Sequence, residues 1–436
     1  MVISMYVSDS VSINEFGHLT LGGSDTVVLA KKYGTPLMVF DRDAIVANCR
    51  AFTESVSENY GDNGRVLYAG KAFSCKEMCR ICRDEGMGLD VVSGGELYTA
   101  IQADFPMDRV CFHGNNKTQQ EISMALEAGV GRIVVDNLEE LVQLNKKAAA
   151  MGRKQGILLR IKPGIDAHTH DFIRTGQIDS KFGFALETGE AEQAARAALS
   201  YGNIELFGIH CHIGSQIFDV DPFVHAARVM LGFMAKIKLD TGCEMRELNL
   251  GGGFGIKYTE ADKPENFRVY MNRVAAELKN AAAEYGIKMP FIMIEPGRSI
   301  VGAEALTLYT VGSVKHIPDV RTYVSVDGGM GDNPRYILYQ AKYEVVCANK
   351  ADQPRTEIVT VAGKCCESGD LIQEHTPIQK VEAGDILAVL STGAYNYSMA
   401  SNYNRIPRPE VIMVSAGEEK TIIKRETYEN IVANDI

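Results

Sequence analysis

Lys71 closes the apolar run Arg65-Val66-Leu67-Tyr68-Ala69-Gly70, and a helical pattern follows directly. A lysine at a strand-to-helix junction is poorly placed as a solvated charge. It is well placed as a desolvated amine able to form a Schiff base; the plain alternative is an ordinary junction lysine. Glu295-Pro296-Gly297-Arg298 follows another apolar run. A buried carboxylate there could keep a pyridine nitrogen protonated, which makes the ring a stronger electron sink; otherwise Glu295 and Arg298 form an ion pair in a turn. Gly251-Gly252-Gly253-Phe254-Gly255 offers backbone N–H groups clear of side chains, a nest suited to phosphate, although it lacks the dinucleotide spacing and the P-loop lysine. His210 and His212 alternate along a strand and so project to one side. No third ligand stands at a suitable spacing, so stacking or hydrogen bonding is preferred to a metal pair, and no metal site is expected. Cys366 and Glu367, with Asp370 close by, place a thiol beside carboxylates: a proton donor next to an ammonium site, or an acidic loop.

The elements that must position these groups repeat. Short Val-, Ile- and Leu-rich runs at 66–70, 88–92, 109–113, 132–136, 156–162, 205–211, 246–250 and 291–295 each lead into a polar or glycine turn and a helical segment. Helix starts are marked by Thr118 with Glu121 and Asn137 with Glu140, and by Asp221 as an N-cap before Pro222. Phe267, Tyr270, Met271, Val274, Ala275 and Leu278 form a stripe over 266–285 that Gly286 ends. Eight strand–helix units predict an α/β chain with a (β/α)8 TIM-type barrel rather than a doubly wound sheet. Lys71, Ser93, His113, Asp136, Lys162, His210, the glycine run and Glu295 then fall at the C-terminal strand ends, where barrel chemistry collects. Beyond residue 300 the segments 322–326, 343–347, 357–361, 385–390, 410–414 and 421–424 are short and β-branched, and predict antiparallel strands. The barrel is expected over 36–300. A discontinuous antiparallel β domain is expected from 1–35 and 301–436.

Composition bounds the partners. Hydrophobic residues make up 46% and charged residues 23% of the 436, as in a globular enzyme with a large core. A net charge of −11 argues against nucleic acid. No apolar run approaches about eighteen residues, so no membrane span is expected. Residues 1–14 lack the basic start and apolar stretch of a signal peptide. Ten cysteines in a chain this long fit a reducing cytoplasm. Cys79-Arg80-Ile81-Cys82 is formally a C-x-x-C, but it has no second pair or nearby histidines. With Cys75 it reads as a buried helix face.

Together these segments resemble the fold-type III PLP-dependent decarboxylases, the group with an alanine-racemase-like barrel, and within it the members that act on diaminopimelate. The resemblance rests on Tyr68 to Phe73, Asp90 to Glu96, His168-Thr169-His170 through Ser180-Lys181-Phe182-Gly183, His210 to Gln216, Gly251 to Gly255, Glu295 to Arg298, Asp327 to Met330, Cys366 to Asp370, and Gly393-Ala394-Tyr395 with Met399 to Asn404, in family order. It implies pyridoxal 5'-phosphate (PLP) held covalently by Lys71, with His212 stacked on the ring and Glu295 on the pyridine nitrogen. Asp90, Ser215, Gly252, Gly253, Gly297, Arg298 and Tyr395 complete the cofactor-binding set. Cys366 and Glu367 would reach the site from the second subunit of a homodimer, Cys366 as the donor that reprotonates the α-carbon.

The implied reaction is loss of CO2 from the D-configured centre of meso-diaminopimelate, giving L-lysine, the last step of lysine biosynthesis. Arg298, Arg335 and Tyr339 would take the distal carboxylate, whose shape suits guanidinium forks. Glu367 would take the distal ammonium, and Tyr395 also lines the substrate. Decarboxylation of carboxynorspermidine, arginine or ornithine, a non-catalytic PLP-binding homologue, and a racemase are the alternatives. The chain departs from the family pattern at Tyr336, where proline is usual, at Lys364-Cys365, at Ser391-Thr392, where an acidic and a small residue are common, and at Asn396, where glycine is usual.

Overall fold

Eight parallel strands close on themselves: Gly64–Ala69, Gly88–Val91, Val110–Phe112, Arg132–Val135, Gln155–Lys162, Ile204–His210, Glu247–Asn249 and Phe291–Ile294. Each pairs with the next, and the eighth pairs with the first. The computed structural model describes residues 6–165 and 180–436, so the His168–His170 motif lies outside it. Leu67, Cys111, Val134, Leu158 and Met293, from five of the strands, pack as one buried cluster. Inward side chains thus fill the barrel, and helices cover its outside. That double burial is why the strands read as continuous apolar runs instead of alternating ones. Each fully buried aliphatic side chain there contributes on the order of 1.5–3 kcal/mol.

Helices Lys76–Asp84, Gly94–Ile101, Gln119–Ala128, Leu138–Ala150, Glu190–Ser200, Asp221–Thr241 and Phe267–Tyr285 follow the first seven strands. Thr118 and Glu121 form the full capping box, and Asn137 caps the amide of Glu140. Asp221 is the first helical residue and not the cap; Asp219 accepts its amide at 3.0 Å instead. Asn266 and a left-handed Gly286 bound the Phe267–Tyr285 helix. Cys79 and Cys82 are buried on the Lys76–Asp84 helix, which Cys75 caps. Burial pushes the thiols of Cys75 to about 11 and Cys79 to about 12, which keeps them protonated and inert.

The chain divides into two compact units. The barrel unit comprises Cys49–Gly255 and Pro264–Gly297; the other comprises the residues up to Asn48, Ile256–Lys263 and Arg298–Ile436. In the second unit the long strand Ala305–Ile317 runs antiparallel to Arg321–Val326, Ile386–Leu390 and Leu37–Asp41. The sheet is largely antiparallel, as expected, with two parallel pairs: Arg321–Val326 with Glu357–Ala362, and Glu410–Ser415 with Leu37–Asp41. Leu37–Asp41 is buried throughout between its two neighbours, so this unit extends past residue 35. Ile256–Lys263 also belongs to it, within a stretch that reads as barrel in sequence.

Candidate active site

In the barrel unit, Glu295 gathers polar groups from several strand ends. It follows the eighth strand and is 6% exposed. Asn249, ending the seventh strand, donates Nδ2 to Oε1 at 2.6 Å. His210, ending the sixth, places Nε2 3.2 Å from Oε2. His113, just after the third, places Nε2 2.8 Å from Oε1. Burial alone would raise the carboxyl, but the pull of His113 and His210 on the ionised form, with the hydrogen bonds they offer it, outweighs burial and holds Glu295 well below the usual carboxylate range. Burial pushes His210 down to about 4 despite the pull of Glu295. At neutral pH a neutral His210 therefore donates through Nε2, and Glu295 is a fixed, ionised acceptor. Asp90, on the second strand, is buried with Oδ1 3.7 Å from His113 Nε2. Burial, the largest influence, raises its carboxyl.

Lys71 sits half-buried in a short turn, Gly70–Ala72, directly after the first strand. His212 lies two residues beyond His210. Burial, then the Lys71 and Arg160 cations, push it well below the ordinary imidazole value, so its ring is neutral. Its Nδ1 accepts the Gly252 amide at 3.3 Å. The glycine run is sterically required. A Cβ on Gly251 would lie 2.5 Å from the Cys211 carbonyl oxygen, on Gly252 2.1 Å from that of Glu295, and on Gly253 2.6 Å from that of Gly214. This bare backbone abuts the turn that carries Gly214 and Ser215, and the Gly253 N–H has no acceptor among the described residues. A Cβ on Gly297 would lie 2.9 Å from that of Ala69, so Gly297 keeps the chain after Glu295 against the Lys71 strand.

A second group lies in the sheet unit. Arg298 donates Nη1 to the Tyr258 hydroxyl at 2.5 Å, and Arg335 donates Nη1 to the same oxygen at 3.3 Å. Both arginines are buried, and the Tyr395 ring centroid lies 4.9 Å from the Arg298 guanidinium and 5.9 Å from that of Arg335. Arg335 also donates to the Tyr343 hydroxyl at 2.6 Å, and no carboxylate pairs with it among the described residues. Burial opposes ionisation of Tyr258, yet the two guanidiniums outweigh it and lower the phenol. Tyr339, half-buried at the end of the Arg335–Tyr339 helix, makes no side-chain hydrogen bond among the described residues. Cys366 and Glu367 are exposed in a turn where the Cys366 amide donates to Asn404 Oδ1 at 2.7 Å.

The sequence reading paired His210 with His212 and found no third ligand type near them. In the structure His210 instead meets His113 and Glu295, three ligand-type groups within 4.8 Å. Closure of the barrel brings them together, which residue spacing does not reveal. Asn249 and Tyr258 went unassigned. A polar side chain ending the buried strand Glu247–Asn249 was a usable signal for the first; none marks Tyr258.

The barrel group fits PLP. A pyridinium needs a fixed anion, and Glu295 supplies it. Buried Asp90 Oδ1 and His113 Nε2 lack aligned hydrogen-bond partners, leaving polar capacity in the same cluster. A phosphate needs amides, which the glycine turn offers, and an aldehyde needs a primary amine, Lys71. Residues 42–302 match the family described as pyridoxal-dependent decarboxylase, pyridoxal binding domain. The chain is 52% identical to diaminopimelate decarboxylase of Bacillus methanolicus, covering 97% of this chain and 98% of that one. It is 50% identical to that of Bacillus subtilis (strain 168), covering 99% and 98%. The crystal structure of diaminopimelate decarboxylase from m. jannaschii in co-complex with L-lysine superposes with a TM-score of 0.91 at 36% identity, over 99% of both chains. Fold, barrel chemistry and full-length similarity agree: the chain belongs to the diaminopimelate decarboxylases, within the family of pyridoxal-dependent decarboxylases.

Proposed function

We propose that this chain is a PLP-dependent carboxy-lyase that removes CO2 from the D-configured centre of meso-diaminopimelate and leaves L-lysine, closing lysine biosynthesis. The buried Arg298–Tyr258–Arg335 group carries the substrate assignment. Two guanidiniums on one phenol are suited to a carboxylate and repel the ammonium tail of a simple diamine precursor. Ornithine or arginine as substrate would leave that cationic pair unmatched.

PLP, when bound, supplies an electron-withdrawing ring that takes up the electrons of the breaking C–CO2 bond. The chain's residues do the rest. Lys71 would hold the cofactor covalently through its amine. Ionised Glu295 holds the pyridine nitrogen protonated, backed by Asn249 and His210. Neutral His212 presents an uncharged ring face. Asp90, Ser215, Gly252, Gly253, Gly297 and Tyr395 fix the cofactor. Arg298 and Arg335, with Tyr339, take the distal carboxylate, so only one end of the substrate reaches the cofactor.

Cys366 returns a proton to the α-carbon, and Glu367 takes the distal ammonium. Both side chains stand exposed in a single chain, which supports their being offered to a second copy in a homodimer. All ten cysteines are free thiols and no described helix is long and apolar enough to cross a membrane, which supports work in a reducing cytoplasm.

CO2 release is to be measured from meso-diaminopimelate, L-ornithine, L-arginine and carboxynorspermidine with PLP added. Turnover of the first alone is expected. Silence with it and turnover of another would overturn the assignment. Arg335→Ala must weaken the preference for diaminopimelate over analogues lacking the distal carboxylate.

A further inference from the structure

Arg335 is held by a ring of buried polar side chains. Its Nη1 donates to the Tyr343 hydroxyl at 2.6 Å. That hydroxyl donates to Asn396 Oδ1 at 3.1 Å, and Asn396 Nδ2 donates to Asn333 Oδ1 at 3.1 Å. Asn333 stands two residues before Arg335, its amide tied to the Gly329 carbonyl at 2.8 Å. The relay therefore leaves and re-enters the same loop. Asn333 and Asn396 are fully buried, and Tyr343 and Arg335 nearly so.

The order of donors and acceptors has one direction. A guanidinium only donates, so Tyr343 oxygen must accept from it and pass its single hydrogen onward; only the carbonyl oxygen of Asn396 can take it, and the Asn396 amide then faces Asn333. Three bonds made in one orientation restrict the rotamers of Tyr343 and Asn396, while Asn333 Nδ2, at the end of the relay, has no hydrogen-bond partner among the described residues. The Tyr343 ring also packs edge-on against Tyr258, at 5.7 Å and 85°, and so bears on the acceptor both arginines share. Asn396 directly follows Tyr395, whose ring flanks both guanidiniums.

We propose that Tyr343 and Asn396 are specificity-determining positioning residues, which hold the Arg335 guanidinium in the orientation that receives a distal carboxylate together with Arg298. This rests on the carboxylate-reading role of the two arginines proposed above. A scaffold alone would affect cofactor content, turnover and substrate affinity together. A positioning relay acts on affinity for molecules that carry the distal carboxylate.

The test uses holoenzyme carrying Tyr343→Phe, Asn396→Ala, both together, or Arg335→Ala. The readouts are kcat and KM for meso-diaminopimelate, the inhibition constant of L-lysine, which keeps the distal carboxylate, and the visible absorbance of lysine-bound PLP. Expected for each single relay variant is a rise of about tenfold in KM and in the L-lysine inhibition constant, with kcat within about twofold and absorbance retained. The double variant should be little worse than either single one, because both cut one relay. Unchanged KM and inhibition constant, or a parallel fall of kcat and PLP content, overturns the proposal. Tyr343→Phe removes one oxygen and decides the matter if Asn396→Ala does not fold. If Arg335→Ala also leaves both constants unchanged, the assignment of the arginines fails and the proposal with it. If Arg335→Ala raises them and the relay variants do not, the proposal alone fails.

Discussion

Asn249 gives its side-chain N–H to Glu295 Oε1 at 2.6 Å, from the end of one barrel strand to the residue after its neighbour. This is a charge-assisted bond in a buried setting, and removing it leaves an ionised oxygen short of a donor. Asn249→Ala should cost about 1.5–3 kcal/mol of stability in denaturant titration. It should also raise the Glu295 carboxyl and weaken PLP retention, seen as a higher cofactor dissociation constant. Asn249→Asp should lose more on both counts, since it sets a second carboxylate against the first.

His210 adds a destabilising contribution on acidification that a single substitution isolates. His210 takes a proton near 6.5 when unfolded but only near pH 4 when folded, because burial outweighs Glu295. Between these values the unfolded chain holds this proton and the folded chain does not, so the His210 contribution to stability falls as pH drops through that window and is flat above it; the carboxyls of Glu96 and Asp332, which burial raises to about 7, contribute with the opposite sign in both proteins. His210 alone accounts for up to about 3 kcal/mol by the bottom of the window. His212, also lowered, adds to the same slope. Denaturant titrations from pH 4.5 to 7 should show a pH slope smaller by about one proton in His210→Asn, which keeps a neutral donor. Equal slopes in both proteins would refute the assignment.

The glycine turn makes a steric prediction. A Cβ at residue 252 would meet backbone, the Glu295 carbonyl oxygen at 2.1 Å, and backbone cannot swing aside. Gly252→Ala should raise the PLP dissociation constant by about tenfold or more. Gly202→Ala, where a Cβ meets nothing within 4 Å, should stay within about 0.5 kcal/mol of the parent in stability and bind PLP normally.

The strands were legible because both faces are buried, so each announces itself as an apolar run; every observed barrel strand lies within two residues of the run that predicted it. Lys71 and Glu295 were legible because a charged residue terminates such a run. What surrounds Glu295 was not, since His113, His210 and Asn249 reach it from different strands only when the barrel closes. Leu37–Asp41 reads like any buried strand, and only its pairing assigns it to the sheet unit. Sequence also pointed to Tyr339, whereas the phenols that touch the guanidiniums are Tyr258, which no pattern marks, and Tyr343, which opens the predicted 343–347 strand with nothing in the sequence to name its partner.

Lys117 and Glu140 form a buried pair whose parts do not stand alone. Lys117 Nζ donates to Glu140 Oε1 at 2.7 Å and to the carbonyls of Gly114 and Val134 at 2.8 and 2.7 Å, which uses all three ammonium hydrogens. Glu140 Oε2 accepts the Asp136 amide at 3.1 Å, where the fourth barrel strand gives way to its helix. Burial lowers Lys117 and raises Glu140, each toward neutrality, while each partner's charge resists the change. Lys117→Met strands a buried carboxylate and two carbonyls, and should cost about 3–5 kcal/mol by denaturant titration. Lys117→Met with Glu140→Gln removes both charges, and should recover a large part of that loss, with a coupling of about 1–3 kcal/mol in the double-mutant cycle. Additive losses would mean that the pair contributes through packing alone, and that the ionic contact between the third and fourth strand ends is incidental.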